Sequence, residues 1–137
     1  MKSETTEIAE VVIENDDYLN SLNKIDINLL ESSPSVYSLK NESLANGDIF
    51  LLREKNEGLS LKKGDHVFIN LTFEPDGSSQ TNAGFILNGN YTELFAEKIT
   101  DKLVTDFTVE EDGEYIFCVI GFNANFINLT YGGIHIN

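Results

Sequence analysis

The fold of this chain is indicated most clearly by the stretch Phe107-Thr108-Val109-Glu110-Glu111-Asp112-Gly113-Glu114-Tyr115-Ile116-Phe117-Cys118-Val119-Ile120-Gly121. Its pattern predicts a strand, a turn at Asp112-Gly113 and a second strand, because Asp-Gly tolerates the positive φ angles of tight hairpin turns. Residues 115–120 are apolar on both alternating faces, so the second strand should be central and covered on both sides. The stretch indicates a β-protein and points to no particular chemistry.

Strand and turn signals continue along the rest of the chain. Residues 66–73 alternate, with Val67, Ile69, Leu71 and Phe73 on one side. Residues 16–23 fit a loop or a short helix, and residues 92–103 fit a short helix or an irregular edge strand. We therefore expect an all-β, jelly-roll-like antiparallel β-sandwich of eight to ten short strands with at most one or two short helices. A single domain should span residues 9–137, after a polar segment, residues 1–8, that we expect to be disordered.

Composition argues against several classes of function. The chain has 23 acidic and 9 basic residues and a net charge of −14. Such a surface repels phosphate backbones and anionic lipid heads, so we expect no nucleic-acid partner. No apolar run reaches transmembrane length, so we expect no direct membrane insertion.

The expected location rests on two features of composition. The single cysteine, Cys118, cannot form an internal disulfide, which fits the cytosol and also the surface of many bacteria. Residues 1–7 resemble the polar spacer that follows an export signal or a lipid anchor. We therefore expect an extracellular or cell-surface location, with a cytoplasmic location as the alternative.

The candidates for catalysis are few. His66 and His135 should both point outward, and a metal or acid–base site would require their strands to be neighbours. Two ordinary surface histidines are the simpler interpretation. Cys118 lies in the middle of the predicted central strand, where a thiol is buried and inert. We therefore expect no catalytic residue and no enzyme.

The candidates for ligand binding are tyrosines and loop carboxylates. The chain has no tryptophan, and Tyr91 and Tyr131, next to turns, are the aromatic platforms on which a sugar ring could stack. Glu74 and Asp76 offer oxygen ligands to calcium, although the full calcium-loop pattern is absent. We expect no required cofactor, and calcium is the one ion that remains open. Two histidines and a buried cysteine are too few for a closed zinc site.

Two segments resemble known domains. Residues 109–118 look like the closing hairpin of GOLD-type and pre-peptidase-type β-sandwich domains, which share an acidic–Gly–x–Tyr–x–Phe strand near their C-terminus. Residues 61–69, Leu-Lys-Lys-Gly-Asp-His-Val-Phe-Ile, are similar to another strand of that architecture. The resemblance covers roughly residues 59–137, and the N-terminal third departs from it. It implies a non-enzymatic binding or accessory domain, usually exported, and supplies no catalytic residue.

These observations leave three hypotheses. The first is a non-catalytic exported module that contacts protein, peptide or glycan through its loops. The second is a small hydrolase-like enzyme with a site around His66 or His135, which requires both histidines and a carboxylate in one pocket. The third is a structural or assembly protein, which a long uncharged edge strand would favour. No pattern in the sequence sets the oligomeric state.

Overall fold

The protein is built almost entirely of strands. The computed structural model describes residues 11–44, 47–75, 79–99, 101–122 and 127–137. Its elements are α1 (Asp17–Asn20), β1 (Asn23–Asn28), β2 (Leu30–Ser33), β3 (Val36–Leu44), β4 (Asp48–Arg53), β5 (Leu59–Leu61), β6 (His66–Pro75), β7 (Ser79–Leu87), β8 (Asn90–Ile99), β9 (Lys102–Thr108), β10 (Gly113–Phe122) and β11 (Ile127–Ile136). The all-β prediction is confirmed. Among the described residues the strands number eleven rather than eight to ten, in part because residues 92–99 belong to β8 and residues 102–103 begin β9, with no helix at either place.

The strands form two sheets. The first sheet has the order β1-β4-β10-β7-β8, with β5 also paired to β10, and the second sheet has the order β2-β3-β11-β6-β9. Neighbouring strands pair antiparallel, as expected, except that β1 and β4 are parallel. Between β1 and β4 the chain passes through β2 and β3 of the other sheet, and this long crossover permits the parallel pairing. No helix among the described residues is long and apolar enough to cross a membrane.

The expected hairpin at Asp112-Gly113 is wrong. β9 lies at an edge of the second sheet, whereas β10 lies inside the first sheet, so residues 109–112 cross between the sheets. The described glycines with positive φ are Gly47, Gly64 and Gly89, and Gly113 is not among them. Val109 is buried, and its backbone N–H donates to the Asp65 carbonyl at 2.8 Å. The crossing is therefore stabilised by tertiary contacts, which a local turn pattern does not encode.

The main core lies between the two sheets. Phe117 and Val119 of β10 pack in one buried cluster with Val67, Ile69 and Leu71 of β6, as the alternation predicted. The opposite face of β10 carries Cys118 and Ile120, which belong to a second buried cluster. The central strand is therefore covered on both sides, as its continuous apolar pattern predicted.

Residues 11–22 cover the outer face of the first sheet. Ile13 and Leu19 are buried in the second cluster. The side chain of Asn15 pairs with the edge of β8: it accepts a hydrogen bond from the Tyr91 N–H at 2.7 Å and donates to the Tyr91 carbonyl at 3.0 Å. Asp16 caps α1 by accepting from the Leu19 N–H at 3.0 Å. The outer face of the second sheet has no comparable covering segment among the residues described, and the candidate site lies there.

Candidate functional site

A groove of about 660 Å³ crosses the outer face of the second sheet. The alternation of β6 points Phe68 and Asn70 outward, opposite the core residues between them. Strand register places His135 beside Phe68 and Gly133 beside Asn70. Side chains of four adjacent strands, β2, β3, β11 and β6, therefore line a single surface, which we call the sheet groove.

A β-bulge in β11 determines which of its side chains reach the sheet groove. The pairing with β6 shifts between Leu129 and Tyr131. Leu129 and Ile134 are five positions apart and would face opposite sides of a regular strand, yet both are buried in the main core. The extra residue resets the alternation, so that Tyr131 and His135 point outward.

Gly133 forms the low centre of the sheet groove. It lies between Ser38 of β3 and Asn70 of β6 in one cross-strand row. A Cβ at this position would lie 2.9 Å from the carbonyl oxygen of Tyr37, closer than real contacts allow. The missing side chain leaves a depression, and Tyr131 and His135 flank it along β11. Glycine inside a strand often marks such a close approach.

Exposed apolar side chains are concentrated on this face. Six large apolar residues among those described are exposed, and four of them lie here: Leu30 (50%), Phe68 (41%), Val104 (60%) and Tyr131 (63%). Leu30, Phe68 and Tyr131 line the sheet groove itself. Single exposed apolar residues are ordinary, but a contiguous group on one face marks an interaction surface.

The polar side chains that line the sheet groove carry no formal charge when histidine is counted as neutral. Ser38 and Asn70 offer a hydroxyl and an amide, and His135 offers an imidazole. No carboxylate, lysine or arginine is among its described lining residues, although the net charge of the chain is −14. A surface that combines aromatic rings with neutral hydrogen-bonding groups suits an uncharged ligand that has both apolar and polar faces.

The two histidines lie on neighbouring strands but do not form a common site. The His66 and Phe68 rings stack with centroids 4.5 Å apart, and the Phe68 and His135 centroids are 6.1 Å apart. The Phe68 ring therefore lies beside both imidazoles. His66 Nε2 lies 2.7 Å from a carboxylate oxygen of Asp106, outside the sheet groove. Among the described residues, the convergence of both histidines with a carboxylate in one pocket, which an enzyme would require, is not found.

The two candidate tyrosines lie on opposite sides of the molecule. Tyr131 lines the sheet groove. Tyr91 packs against the second cluster on the first sheet, over Gly84, where a Cβ would lie 2.6 Å from the tyrosine hydroxyl. Burial raises the pKa of the Tyr91 hydroxyl. The structure does not bring the two tyrosines together, and ligand binding by either one stays a prediction.

The remaining candidates are Cys118 and the loop carboxylates. Cys118 is buried, as predicted, and burial raises the pKa of its thiol. Glu74 is exposed near the end of β6, and Asp76 lies outside the described residues. Over the described part of the chain, no three His, Cys, Asp or Glu side chains lie together as metal ligands would. Calcium binding at Glu74 and Asp76 stays a prediction.

Sequence reasoning missed most of the sheet groove. Leu30, Phe68 and Asn70 were not among the candidate ligand residues, yet all three line it. One signal was present: Phe68 is a large aromatic residue at an outward position of the alternating strand, next to His66 and Asn70. A second signal was the pair Gly132-Gly133 inside a strand pattern.

Three solved structures are similar to this chain over part or most of its length. PliG from Aeromonas hydrophila, a periplasmic lysozyme inhibitor of g-type lysozyme, has a TM-score of 0.54 at 12% identity and covers 85% of this chain and 98% of its own. The pre-peptidase C-terminal domain of collagenase from Bacillus anthracis has a TM-score of 0.45 at 12% identity and covers 85% and 94%. The CBM22-1 xylan-binding domain of Xyn10C from Paenibacillus barcinonensis has a TM-score of 0.45 at 18% identity and covers 58% and 62%.

These likenesses concern the fold alone. The chain is an all-β sandwich, which is the fold that the resemblance of residues 59–137 implied. No family model matches the chain, and no curated protein matches its sequence. The features that bear on function are therefore those of the surface of this molecule.

Proposed function

We propose that this protein is a non-catalytic binding module that holds an uncharged segment of a partner, either protein or glycan, in the sheet groove. The observation that carries the proposal is the concentration of exposed Leu30, Phe68 and Tyr131 around a neutral, glycine-floored depression. Aromatic and aliphatic anchors supply buried apolar area on binding, and Ser38, Asn70 and His135 supply orientation through hydrogen bonds.

The position of the groove modifies the expected mode of binding. The sequence predicted contact through loops, whereas the sheet groove is formed by the outer faces of four strands. Tyr131 and His135 are four residues apart along β11, which spans about 13 Å of extended strand. An extended peptide or an oligosaccharide has the shape to follow such a surface. We keep both as partner classes, and we propose an extracellular or cell-surface location for the encounter.

The assembly alternative has less support. The strands at the two ends of each sheet order carry charge: β1 has Lys24 and Asp26, β2 has Glu31, β8 has Glu93, and β9 has Lys102 and Asp106. β5, which pairs with β10 alone, is uncharged but only three residues long. Charged residues on an edge strand oppose pairing with another chain. The long uncharged edge that would favour an assembly role is absent from the described strands.

The test compares Tyr131→Ala with a matched control, Tyr18→Ala. Both tyrosines are exposed, at 63% and 53%, but Tyr18 lies on α1, away from the sheet groove. Neutral oligosaccharides on a glycan array, and g-type lysozyme as a protein probe, would be screened against the wild-type protein. We expect Tyr131→Ala to weaken binding of any captured probe about tenfold or more, as truncation of an aromatic anchor does.

Tyr18→Ala should bind such a probe as the wild type does. A probe that binds the wild type and the Tyr131→Ala variant equally would contradict the proposed site. Phe68→Ala provides a second test, because Phe68 lies on the other side of the depression and is exposed enough for the fold to survive its truncation.

A further inference from the structure

A second cleft lies at the open side of the sandwich. It has a volume of about 520 Å³ and lies between β8, at the edge of the first sheet, and β9, at the edge of the second. These two strands belong to different sheets, so no ladder of hydrogen bonds closes the gap between them. None of the residues that line this cleft also lines the sheet groove. We call it the edge cleft.

Aromatic rings form the floor of the edge cleft. Phe85 of β7 and Phe107 of β9 stack with centroids 5.0 Å apart and planes 13° apart, and so join the two sheets. Tyr115 lies 5.1 Å from Phe85 in a tilted arrangement. Phe85 and Phe107 are only partly buried, and both line the cleft. Part of this aromatic surface is therefore open to a ligand.

Two carboxylates form one wall of the edge cleft. Glu110 and Glu111 lie on the crossing between β9 and β10, and both are exposed. Hydrogen bonds from two other parts of the chain hold this crossing in place. The Tyr115 hydroxyl donates to the Glu111 carbonyl at 2.6 Å, and Asp112 accepts from the Lys63 N–H at 2.8 Å. This wall is positioned by the fold, because its hydrogen bonds reach other strands and turns.

The opposite wall carries no charged residue among those described. Asn88 and Asn90 come from the hairpin that joins β7 to β8, Thr92 adds a hydroxyl group, and Leu87 and Leu94 add apolar surface. Thr108 ends β9, on the same side as the two carboxylates. No lysine or arginine is among the described residues that line the cleft. The edge cleft therefore combines aromatic faces, two carboxylates and amide oxygens, with no cation of its own to balance them.

We propose that the edge cleft binds the guanidinium group of an arginine side chain presented by a basic partner protein. A guanidinium is a planar, weakly hydrated cation that stacks on aromatic faces and pairs with carboxylates through two parallel hydrogen bonds. Phe85 and Phe107 provide the stacking surface, and Glu110 and Glu111 provide the carboxylates. The net charge of −14 attracts a basic partner over a longer range.

Other ligand classes fit the edge cleft less well. An apolar ligand would remove Glu110 and Glu111 from water with no compensating partner. Calcium takes six to eight oxygen ligands, and an aromatic floor offers none. A lysine ammonium could pair with the carboxylates, but it is compact and strongly hydrated and gains less from the aromatic faces.

The test uses N-acetyl-arginine amide as the probe and N-acetyl-citrulline amide as its matched control. Citrulline keeps the planar shape of arginine but carries no charge. Each compound would be titrated to about 20 mM into isotope-labelled protein, and amide chemical shifts would be recorded. We expect saturable shifts around Thr92 and Thr108 with the arginine compound, and binding of the citrulline compound at least about fivefold weaker.

Two variants test whether the arginine compound binds in the edge cleft or elsewhere on the surface. The double variant Glu110→Gln, Glu111→Gln should bind the arginine compound at least about fivefold more weakly and keep the wild-type circular dichroism spectrum, because both side chains are exposed. Tyr131→Ala should bind it as the wild type does, since Tyr131 lies in the sheet groove. If the arginine compound does not bind, the proposal for the sheet groove still stands. If the test of the sheet groove fails, the proposal for the edge cleft likewise still stands.

Three outcomes would overturn the inference. The first is an absence of saturable shifts around the cleft across the titration. The second is equal binding of the arginine and citrulline compounds, which would remove the role of charge. The third is unchanged binding by the double glutamine variant, which would place the cation elsewhere on the acidic surface.

Discussion

Truncation of Phe117 to alanine tests the placement of the core most directly. Phe117 lies in the middle of β10 and is 1% exposed. Its ring centroid is 6.0 Å from that of Phe107 in the second sheet and 6.4 Å from that of Phe85 in the neighbouring strand. The side chain thus joins the two sheets at the centre of the main core, where the surrounding strands cannot collapse to fill a void.

The expected cost follows from the buried area. A fully buried aromatic side chain removes about 150–250 Å² from water, and at about 25 cal/mol per Å² this corresponds to about 4–6 kcal/mol. Alanine keeps part of that area, and a residual cavity adds to the loss, so we expect Phe117→Ala to lower the free energy of unfolding by about 3–5 kcal/mol. The whole free energy of unfolding of a native protein is about 5–15 kcal/mol, so this loss is a large fraction of it.

The measurement is equilibrium unfolding in urea, followed by circular dichroism. The control is Phe68→Ala, which removes the same ring from the outer face, where Phe68 is 41% exposed. The free energy of unfolding should fall by only about 1 kcal/mol in this control, since the Phe68 ring is already partly exposed to water. The midpoint of unfolding should therefore fall much further for Phe117→Ala, with similar slopes for both variants.

Two results would refute the reasoning. A loss under about 1 kcal/mol for Phe117→Ala would mean that this face of β10 does not form the core. Equal losses for the two variants would mean that the assignment of inner and outer faces is wrong. Tyr131→Ala, on the same outer face as Phe68, should behave as the control does.

Three further predictions concern other parts of the molecule. Cys118 should react slowly with an aromatic disulfide reagent in the native state and rapidly in denaturant, and fast native labelling would refute its burial. Burial raises the pKa of this thiol, so the thiol keeps its proton in the folded protein but loses it in the unfolded chain above about pH 8.5. Stability should therefore fall as the pH rises above that value, and Cys118→Ala should flatten this dependence. Gly84→Ala should lower stability by about 1–3 kcal/mol or more, because the new methyl group would clash with the backbone carbonyl oxygen of Thr92 and with the ring of Tyr91, and an unchanged unfolding midpoint would contradict the packing. Millimolar calcium should raise the melting temperature if Glu74 and Asp76 bind it, and Asp76→Asn should abolish the effect; no effect in the wild type would rule the site out.

The regular parts of the fold could be read from the sequence because their signals are local. Val67, Ile69 and Leu71 alternate with polar or exposed positions, and that pattern alone places them in the core. The apolar run at 115–120 likewise indicated a strand covered on both sides. Asn-Gly between two apolar runs indicates a hairpin, and Asn88 and Gly89 both have the positive φ that such a turn requires.

The candidate site could be read only in part. The sequence predicted Tyr131 as a candidate because it is an aromatic residue next to a turn signal, but its outward direction depends on the bulge between Leu129 and Tyr131. The simple alternation of β11 cannot place Leu129 and Ile134 on the same side. Tyr91, chosen by the same reasoning, packs over Gly84 on the other side of the molecule.

The sequence by itself determined the class of fold, the central strand and the faces of β6, because each depends on the period of apolar residues along one segment. Tertiary structure decided which strands became neighbours. It sent residues 109–112 from one sheet to the other and placed the ring of His135 beside that of Phe68. It also placed Phe85 beside Phe107 to form the floor of the edge cleft. Each of these contacts depends on which strands lie side by side or face to face, and no local pattern records that arrangement.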